Sequence, residues 1–458
     1  MSLARNSAAS LLRSVRAGTT ALLSFLLLIT ILVPSRPAEA MEIKSVKSAS
    51  GIEAWLVEEH SVPLMALRFA FTGGSGQDPT DKAGVANFIT AMMDEGAGDL
   101  KSAEFQERME DIAMRMHYEQ SRDTFYGSVE TLSANRPQAM ELLKLALTAP
   151  RFDEDAVERI RGQIKANIIY ASRDPNRVAQ ELWWSTAFPK HPYGQPKDGT
   201  LDTVSAITRD DLKAYHSRVF AKSNLKVVAV GDIDADSLAK LLDEVFGELP
   251  DKAQLNPVPD VVPPAGPELI VKEMDVPQSV AMFGFGGLKR KDPDFMAGFV
   301  LSHIIGGGGF SSKLMEEVRE RRGLAYSVYS YLNPMEHSAV FAGSVATKNE
   351  AIAESLDVIR GQLKEMADKG PSQDDLKAAQ DYLTGSFALR FDSNEKIATQ
   401  LLGIMVEDMG IDYVNTRNAQ VNALTTEDLK RAAKRFLHPE NLIVTVVGKP
   451  VGLPAPRG

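Results

Sequence analysis

The apolar positions switch between two periods along this chain, as a protein of mixed helices and strands requires. Residues 42–46 and 52–57 read as short strands, and residues 64–72 as a third, largely buried one to which Ala66, Phe69 and Phe71 belong. Gly73-Gly74-Ser75-Gly76 and Asp78-Pro79 break that strand. Residues 81–94 and 102–115 then predict helices, and 117–132 a pair of strands. Helices follow over 136–148, 153–171 and 175–187, the last two punctuated by Asp174-Pro175. A helix over Asp210 to Arg218, a buried strand from Leu225 to Val230 and a helix over 234–246 complete this part of the chain. Trp183-Trp184 reads as core and interface packing, and the methionines from Met92 to Met116 as adaptable core.

A second informative stretch runs from Gly306 to Leu332. The glycines Gly306 to Gly309 give a loop that other residues follow only at a cost. Ser311 or Ser312 can cap the helix that follows, and Phe310, Leu314 and Val318, four apart, give that helix an apolar face. Gly323 stands where a C-cap glycine belongs, and Leu324 to Leu332, rich in Tyr and Val, predicts a strand. Arg319 therefore falls in the last helical turn and Tyr326 early on the strand, so the two can converge. Two plainer readings stand beside this one. Arg319 belongs to a charged run, Glu316 to Arg322, of the kind that usually forms a solvated face. Tyr326, Tyr329 and Tyr331 are ordinary strand residues, and alternation puts Tyr326 opposite the other two. No Gly-Lys-Ser/Thr follows the glycines, which sets aside a phosphate loop.

The chain repeats itself. Val62-Pro63, Phe69, Phe71, Gly73, Asp78-Pro79 and Gly84 recur 214 residues later as Val276-Pro277, Phe283, Phe285, Gly287, Asp292-Pro293 and Gly298. A second block, including Asp211-Leu212-Lys213, Asn224-Leu225 and Val230-Gly231, recurs at 217 as Asp428-Leu429-Lys430, Asn441-Leu442 and Val447-Gly448. So many matches in fixed register predict two homologous domains, 41–248 and 268–450. Between them residues 249–267 hold six prolines, a stiffened linker.

Composition narrows the chemistry. With 458 residues, 44% of them hydrophobic, sizeable cores are affordable, and a net charge of −10 argues against a nucleic-acid surface. The absence of cysteine excludes disulfides, thiolate metal sites and a cysteine nucleophile. Residues 1–40 read as a cleaved signal peptide: Arg5, Arg13 and Arg16 precede an apolar run from Ala21 to Val33, and Ala38-Glu39-Ala40 fits a cleavage site. Its loss removes four Arg and one Glu and takes the charge from −10 to −13. A periplasmic location with no membrane span in the mature form is the expectation. A mitochondrial presequence and an uncleaved anchor are the alternatives, the first disfavoured by the apolar run and the second by its length.

The Arg319/Tyr326 segment resembles the C-terminal domain of the pitrilysin/insulinase-type zinc peptidases, in which an Arg and a Tyr seven residues apart hold the substrate backbone. HisProTyrGly at 191–194, followed by Gly199, is also similar to that family, and the resemblance covers about residues 45–450. The family's inverted zinc motif, H-x-x-E-H, supplies two His ligands and a general-base Glu, with a further Glu ligand from a later helix. The matching segment here is Ala83 to Met93, flanked by Gly84 and Glu95-Gly96 as the family requires. Asn87 and Ala91 stand at the His positions, Thr90 at the Glu, and Asn167 near the distal ligand. Neutral amide and hydroxyl oxygens are poor zinc ligands, and Ala91 offers none. The seven histidines contain no pair at i, i+3 or i, i+4. Asp94 and Glu95 read as a solvated helix end.

What the resemblance implies is an α+β fold of two homologous domains, each a mostly antiparallel sheet with helices packed on one side, joined by the Pro-rich linker. It further implies a substrate-binding subunit of an exported zinc metallopeptidase, inactive alone and without a cofactor of its own. A homologous partner would carry the zinc motif, while this chain supplies Arg319 and Tyr326 for peptides or unfolded proteins. The rivals are a non-enzymatic scaffold of the same fold and, more remotely, an enzyme with an unorthodox metal site.

Overall fold

A computed structural model describes residues 41–454. The expected signal peptide lies outside these residues. In chain order the first half contains β1 (Lys44–Lys47), β2 (Glu53–Glu58), β3 (Leu64–Thr72), α1 (Val85–Thr90), β4 (Gly96–Ala97), β5 (Leu100–Lys101), α2 (Ser102–Asp111), β6 (Arg115–Gln120) and β7 (Thr124–Leu132). It continues with α3 (Arg136–Thr148), α4 (Glu154–Ala171), α5 (Pro175–Ala187), α6 (Leu201–Ala206), α7 (Arg209–Val219), β8 (Leu225–Gly231) and α8 (Ala235–Phe246). The second half contains β9 (Glu268–Glu273), β10 (Gln278–Gly286), α9 (Phe295–Ser302), β11 (Ala325–Pro334) and β12 (Ala339–Lys348). Five helices follow, α10 (Ile352–Lys369), α11 (Gln373–Gly385), α12 (Asn394–Val406), α13 (Tyr413–Asn422) and α14 (Thr426–Phe436), before β13 (Ile443–Gly448). Among the described residues no helix is long and apolar enough to cross a membrane.

Each half is a sheet with its own helices. The first has six strands in the order β1-β2-β8-β3-β7-β6, the second five in the order β11-β12-β10-β13-β9, and β4-β5 is a separate small ribbon. One pair in each large sheet is parallel, β2 with β8 and β13 with β9; the rest are antiparallel. The duplication reaches side-chain detail. Phe69 on β3 lies directly opposite Gly127 on β7, and Phe283 on β10 directly opposite Gly343 on β12. A Cβ at either glycine would collide with the facing phenylalanine ring, so each ring lies flat on bare backbone.

The helix expected over 81–94 is shorter in the structure. The buried carboxylate of Asp78 accepts the amides of Gly84 (2.8 Å) and Ala86 (2.9 Å), and Gly84 is left-handed (φ 99°). A single 3-10 turn at Thr80–Lys82 precedes this break, and the α-helix begins only at Val85 and ends at Thr90.

The expectation of helices on one side of each sheet is incomplete. Each sheet is covered on one face by helices of its own half and on the other by a helix of the opposite half. α5, from the first half, packs on β13 and β10; α12, from the second, packs on β8 and β3. In β10, Ala281, Phe283 and Phe285 join the core of their own half, whereas Val280 and Met282 meet α5 residues. Trp183 is fully buried there, its indole N–H donating to Ile443 O at 3.2 Å, and Thr445 Oγ1 donates to Ala179 O at 2.9 Å. Gly284 makes the room: a Cβ would stand 2.6 Å from the Trp183 ring. On the reciprocal side, where Ala398, Leu401 and Leu402 of α12 are buried, the seam adds an ionic contact. Buried Arg68 on β3 pairs with Glu130 (2.8 Å) and reaches Glu395 (3.5 Å) and Thr399 (3.3 Å) on or beside α12.

Truncating a fully buried tryptophan costs about 3–5 kcal/mol. Trp183→Ala is therefore expected to lower the urea midpoint of the whole chain in one transition, because both halves meet at that residue. An unchanged midpoint would remove α5 from the seam.

Candidate functional site

The glycine-rich stretch places Arg319. α9 runs on into a π-wound segment, His303–Gly307, closed by the amide of Gly308 on His303 O, five residues back (2.8 Å). Gly306 presses against β11, where a Cβ would stand 2.5 Å from Ser330 N, and Gly309 turns left-handed (φ 59°). Ser312 is buried and its Oγ takes the amide of Met315 at 3.4 Å, a cap of the kind expected. A second π-wound segment, Met315–Glu320, carries Arg319 in its last turn. Gly323 (φ 62°) ends it and sends the chain into β11. Leu314 and Val318 are buried as the spacing predicted, but Phe310 is not: it sits in a tight turn before the helix, where four-residue spacing no longer sets direction, and is 67% exposed.

Phe310 instead joins the site. The Arg319 guanidinium lies 4.5 Å from the Phe310 ring centroid and 5.3 Å from that of Tyr326. Tyr326, 82% exposed, stands at a bulge between Ala325 and Ser327, which interrupts the alternation expected along the strand. The charged run is divided by what its members touch. Arg321 pairs with Glu316 and Glu317, and Arg322 with Glu317. Arg319 makes one side-chain hydrogen bond among the described residues, Nη1 to Glu320 at 2.9 Å. The result is a planar cation held by aromatic faces, each contact contributing about 0.5–1 kcal/mol at an exposed site. Its remaining N–H groups suit a carbonyl or carboxylate oxygen.

The positions of the inverted zinc motif lie elsewhere. Asn87, on α1, and Asn167, on α4, line one open cavity of about 560 Å³ together with Ile164, Tyr170 and the loop 196–201. Their donors do not fit zinc. Thr90 Oγ1 is turned back onto Asn87 O at 2.7 Å, Ala91 has no donor, and Asn87 and Asn167 are neutral amides. Among the described residues no cluster of three or more His, Cys, Asp or Glu could hold a metal ion. The shell around the absent ligands persists. Glu95, expected as part of a solvated helix end, is buried and held by both terminal nitrogens of Arg159, with Ser102 on the same carboxylate. Asp94, beside it, is half-buried, and burial pushes its carboxyl above the ordinary range. Of the two acids, Glu95 is thus held by α4, while the Asp94 carbonyl takes the side-chain amide of Gln106 on α2 at 2.9 Å.

HisProTyrGly at 191–194 is a junction between the halves. His191 Nδ1 accepts the Tyr193 amide (3.1 Å) and its Nε2 meets Pro259 O of the linker (2.9 Å). The Tyr193 hydroxyl bonds Asp123 and receives the His337 amide (3.1 Å), while the Glu336 amide reaches the same aspartate (3.1 Å).

Two sheets of one design, an emptied metal motif on the first and an aromatic-flanked arginine on the second define a non-catalytic homologue of the two-domain zinc peptidases. Residues 55–200 match the sequence profile of Insulinase (Peptidase family M16), and residues 206–383 that of the Peptidase M16 inactive domain. The chain belongs to peptidase family M16. It is 29% identical over 347 residues to a protein of Helicobacter pylori named non-peptidase homolog YmxG, covering 75% of this chain and 79% of that one. An uncharacterized zinc protease of Streptomyces coelicolor is 26% identical over 375 residues, 80% of each chain. Among solved structures, a peptidase M16 inactive domain from Pseudomonas fluorescens superposes with a TM-score of 0.84 at 29% identity, over 91% of this chain and 99% of that chain.

Two measurements follow. Glu95 gains from Arg159 and Ser102 more than burial takes away, so its pKa lies below the ordinary carboxylate value. That contribution is complete above the unfolded-state pKa and lost as pH falls through the lowered native one. Glu95→Gln should cost about 1–3 kcal/mol in urea unfolding at pH 7, with the deficit shrinking below about pH 4; a pH-independent deficit would rule out the charge as its source. Restoring the motif with Asn87→His, Thr90→Glu, Ala91→His and Asn167→Glu together should yield one zinc per chain in metal analysis after dialysis. A variant that folds yet holds no zinc would show that the backbone, too, has left the metal-binding geometry.

Proposed function

We propose that this chain is the substrate-binding, non-catalytic subunit of an exported heteromeric zinc metallopeptidase acting on peptides or unfolded proteins. The observation that carries this reading is the contrast between the two halves. The four motif positions of the first half offer no zinc-binding set, whereas Arg319 and Tyr326 of the second converge on an exposed, aromatic-flanked cation. A homologous partner subunit supplies zinc and the general base. Arg319 donates to a peptide carbonyl of the substrate, and Tyr326 offers its phenol to the same oxygen or to the charge that develops there. The family membership, and a Helicobacter relative named as a non-peptidase homolog, support the division of labour.

A second reading, a scaffold of the same fold without hydrolysis, draws on the bond from Arg319 to Glu320 and the two flanking rings, which hold the arginine in place without any substrate. Affinity purification of the tagged chain from its native cells separates the two: the subunit reading expects a similar-sized H-x-x-E-H protein near 1:1. In that complex Arg319→Ala should lower peptide turnover about 10²-fold, the scale of losing one donor to developing charge, with assembly intact by size-exclusion chromatography. Unchanged turnover would sink the arginine assignment, and absence of any zinc-motif partner would favour the scaffold.

A further inference from the structure

The two halves line a second open cavity, of about 650 Å³, formed by the β6–β7 turn, α5, the β11–β12 turn and the chain around Arg290 and Glu407. Arg122, in the β6–β7 turn, forms part of its wall. Its guanidinium is stacked 3.6 Å from the Trp184 ring centroid, and its Nε donates to Tyr193 O at 2.9 Å. That bond fixes the plane of the group and leaves Nη1 and Nη2 without a protein acceptor among the described residues. Asp123, its chain neighbour, is committed to the Tyr193 hydroxyl and the Glu336 amide. Burial pulls the Arg122 pKa down to about 10 against the opposing pull of the neighbouring Asp123 carboxylate, whose oxygens bond other groups.

The other charges on the wall are largely spent. Lys289 pairs with Asp260 (2.8 Å), Arg290 with Glu407 (3.4 Å) and Lys291 with Asp408 (2.8 Å). Lys197, near Arg122 on the same wall, has no ion pair among the described residues. Glu336, also on the wall, has no ion pair among the described residues, so a wall with one stacked guanidinium whose Nη atoms lack an acceptor, one unpaired lysine and one unpaired glutamate suits a monoanion better than a highly charged group. Trp184, Tyr126 and Tyr331 line it as well and offer flat surfaces for an organic body.

We propose that this cavity binds a carboxylate-bearing ligand, the carboxylate resting on Nη1 and Nη2 of Arg122 in bidentate fashion and its body lying among the aromatic walls. The carboxylate comes from a peptide C-terminus or from a free small acid. Arg319 and the partner subunit take no part, so the inference stands or falls apart from the peptidase reading.

The test is calorimetric titration of the full purified chain with pentaalanine as the free acid and as its C-terminal amide, with acetate as competitor. The free acid is expected to bind 1:1 and at least tenfold more tightly than the amide. Arg122→Gln should abolish that preference, and Arg122→Lys should retain part of it. Thermal melts accompany each variant, and Lys197→Gln, where the side chain makes no bond among the described residues, should weaken the free acid several-fold even if the arginine variants do not fold. Equal affinity for acid and amide, no binding of the free acid up to millimolar concentration, or a preference that survives in folded Arg122→Gln would each overturn the proposal. Displacement of the peptide by acetate at equal affinity would assign the site to free small acids and overturn its assignment to peptide ends.

Discussion

The structure depends on a mutual debt of burial: each sheet has two apolar faces and only one set of helices of its own. β10 and β13 carry Val280, Met282, Ile443 and Val447 on the side away from their own helices, and α5 of the other half covers them. β3 and β8 are covered in return by α12. A strand buried on both faces loses its driving force if either cover is withdrawn. The relative placement of the halves therefore follows from two helices. The remaining contacts between the halves, Arg68 to Glu395 and the Tyr193–Asp123–His337 junction, are polar and directional; they set register where the apolar seam alone would tolerate sliding.

Much of this was legible in the sequence, because its strongest signals need no knowledge of contacts. The near-continuous apolar strand and the glycine and Asp-Pro breaks are local, and the fixed-register repeat compares the chain only with itself; together they announce two similar α+β units. The exchange of helices was not legible. A strand apolar on both faces states that something covers it but not which segment, and α5 with its tryptophan pair carries no mark of belonging to the other sheet. Glu95 was misread for a related reason: an acid next to a helix end is usually solvated, and its partner Arg159 lies 64 residues further on. Phe310 was assigned by spacing to a helix that had not yet begun. The zinc positions, in contrast, were legible as absences, since a motif defined residue by residue can be seen to be missing.

What persists around those absences is informative about the site. Asn87 and Asn167 line one cavity, the turn at Gly84 is kept by the Asp78 carboxylate, and Glu95 is clasped by Arg159. The ligands and the shell are thus separable: the shell serves the fold of the first half as well as any metal, so losing the ligands leaves it standing. In the second half the glycine loop and its two π-wound segments have two duties, since Ile305, Leu314 and Val318 belong to the core of that half. The same segments also put Arg319 between two exposed rings, and exposed aromatic side chains add little to stability.

The exchange of helices also sets an order of events at the ribosome. The first sheet is fully made once α8 has emerged, near residue 248, yet the helix that covers its second face ends at Val406. At ~5–20 residues per second that leaves a bare apolar sheet waiting for roughly eight to thirty seconds. For that interval the nascent chain presents the kind of surface that holding chaperones bind, and two neighbouring nascent chains could each take the other's missing helix. A duplicated fold closed in this manner is in effect a dimer written on one strand of message, with its tether guarding against the wrong pairing.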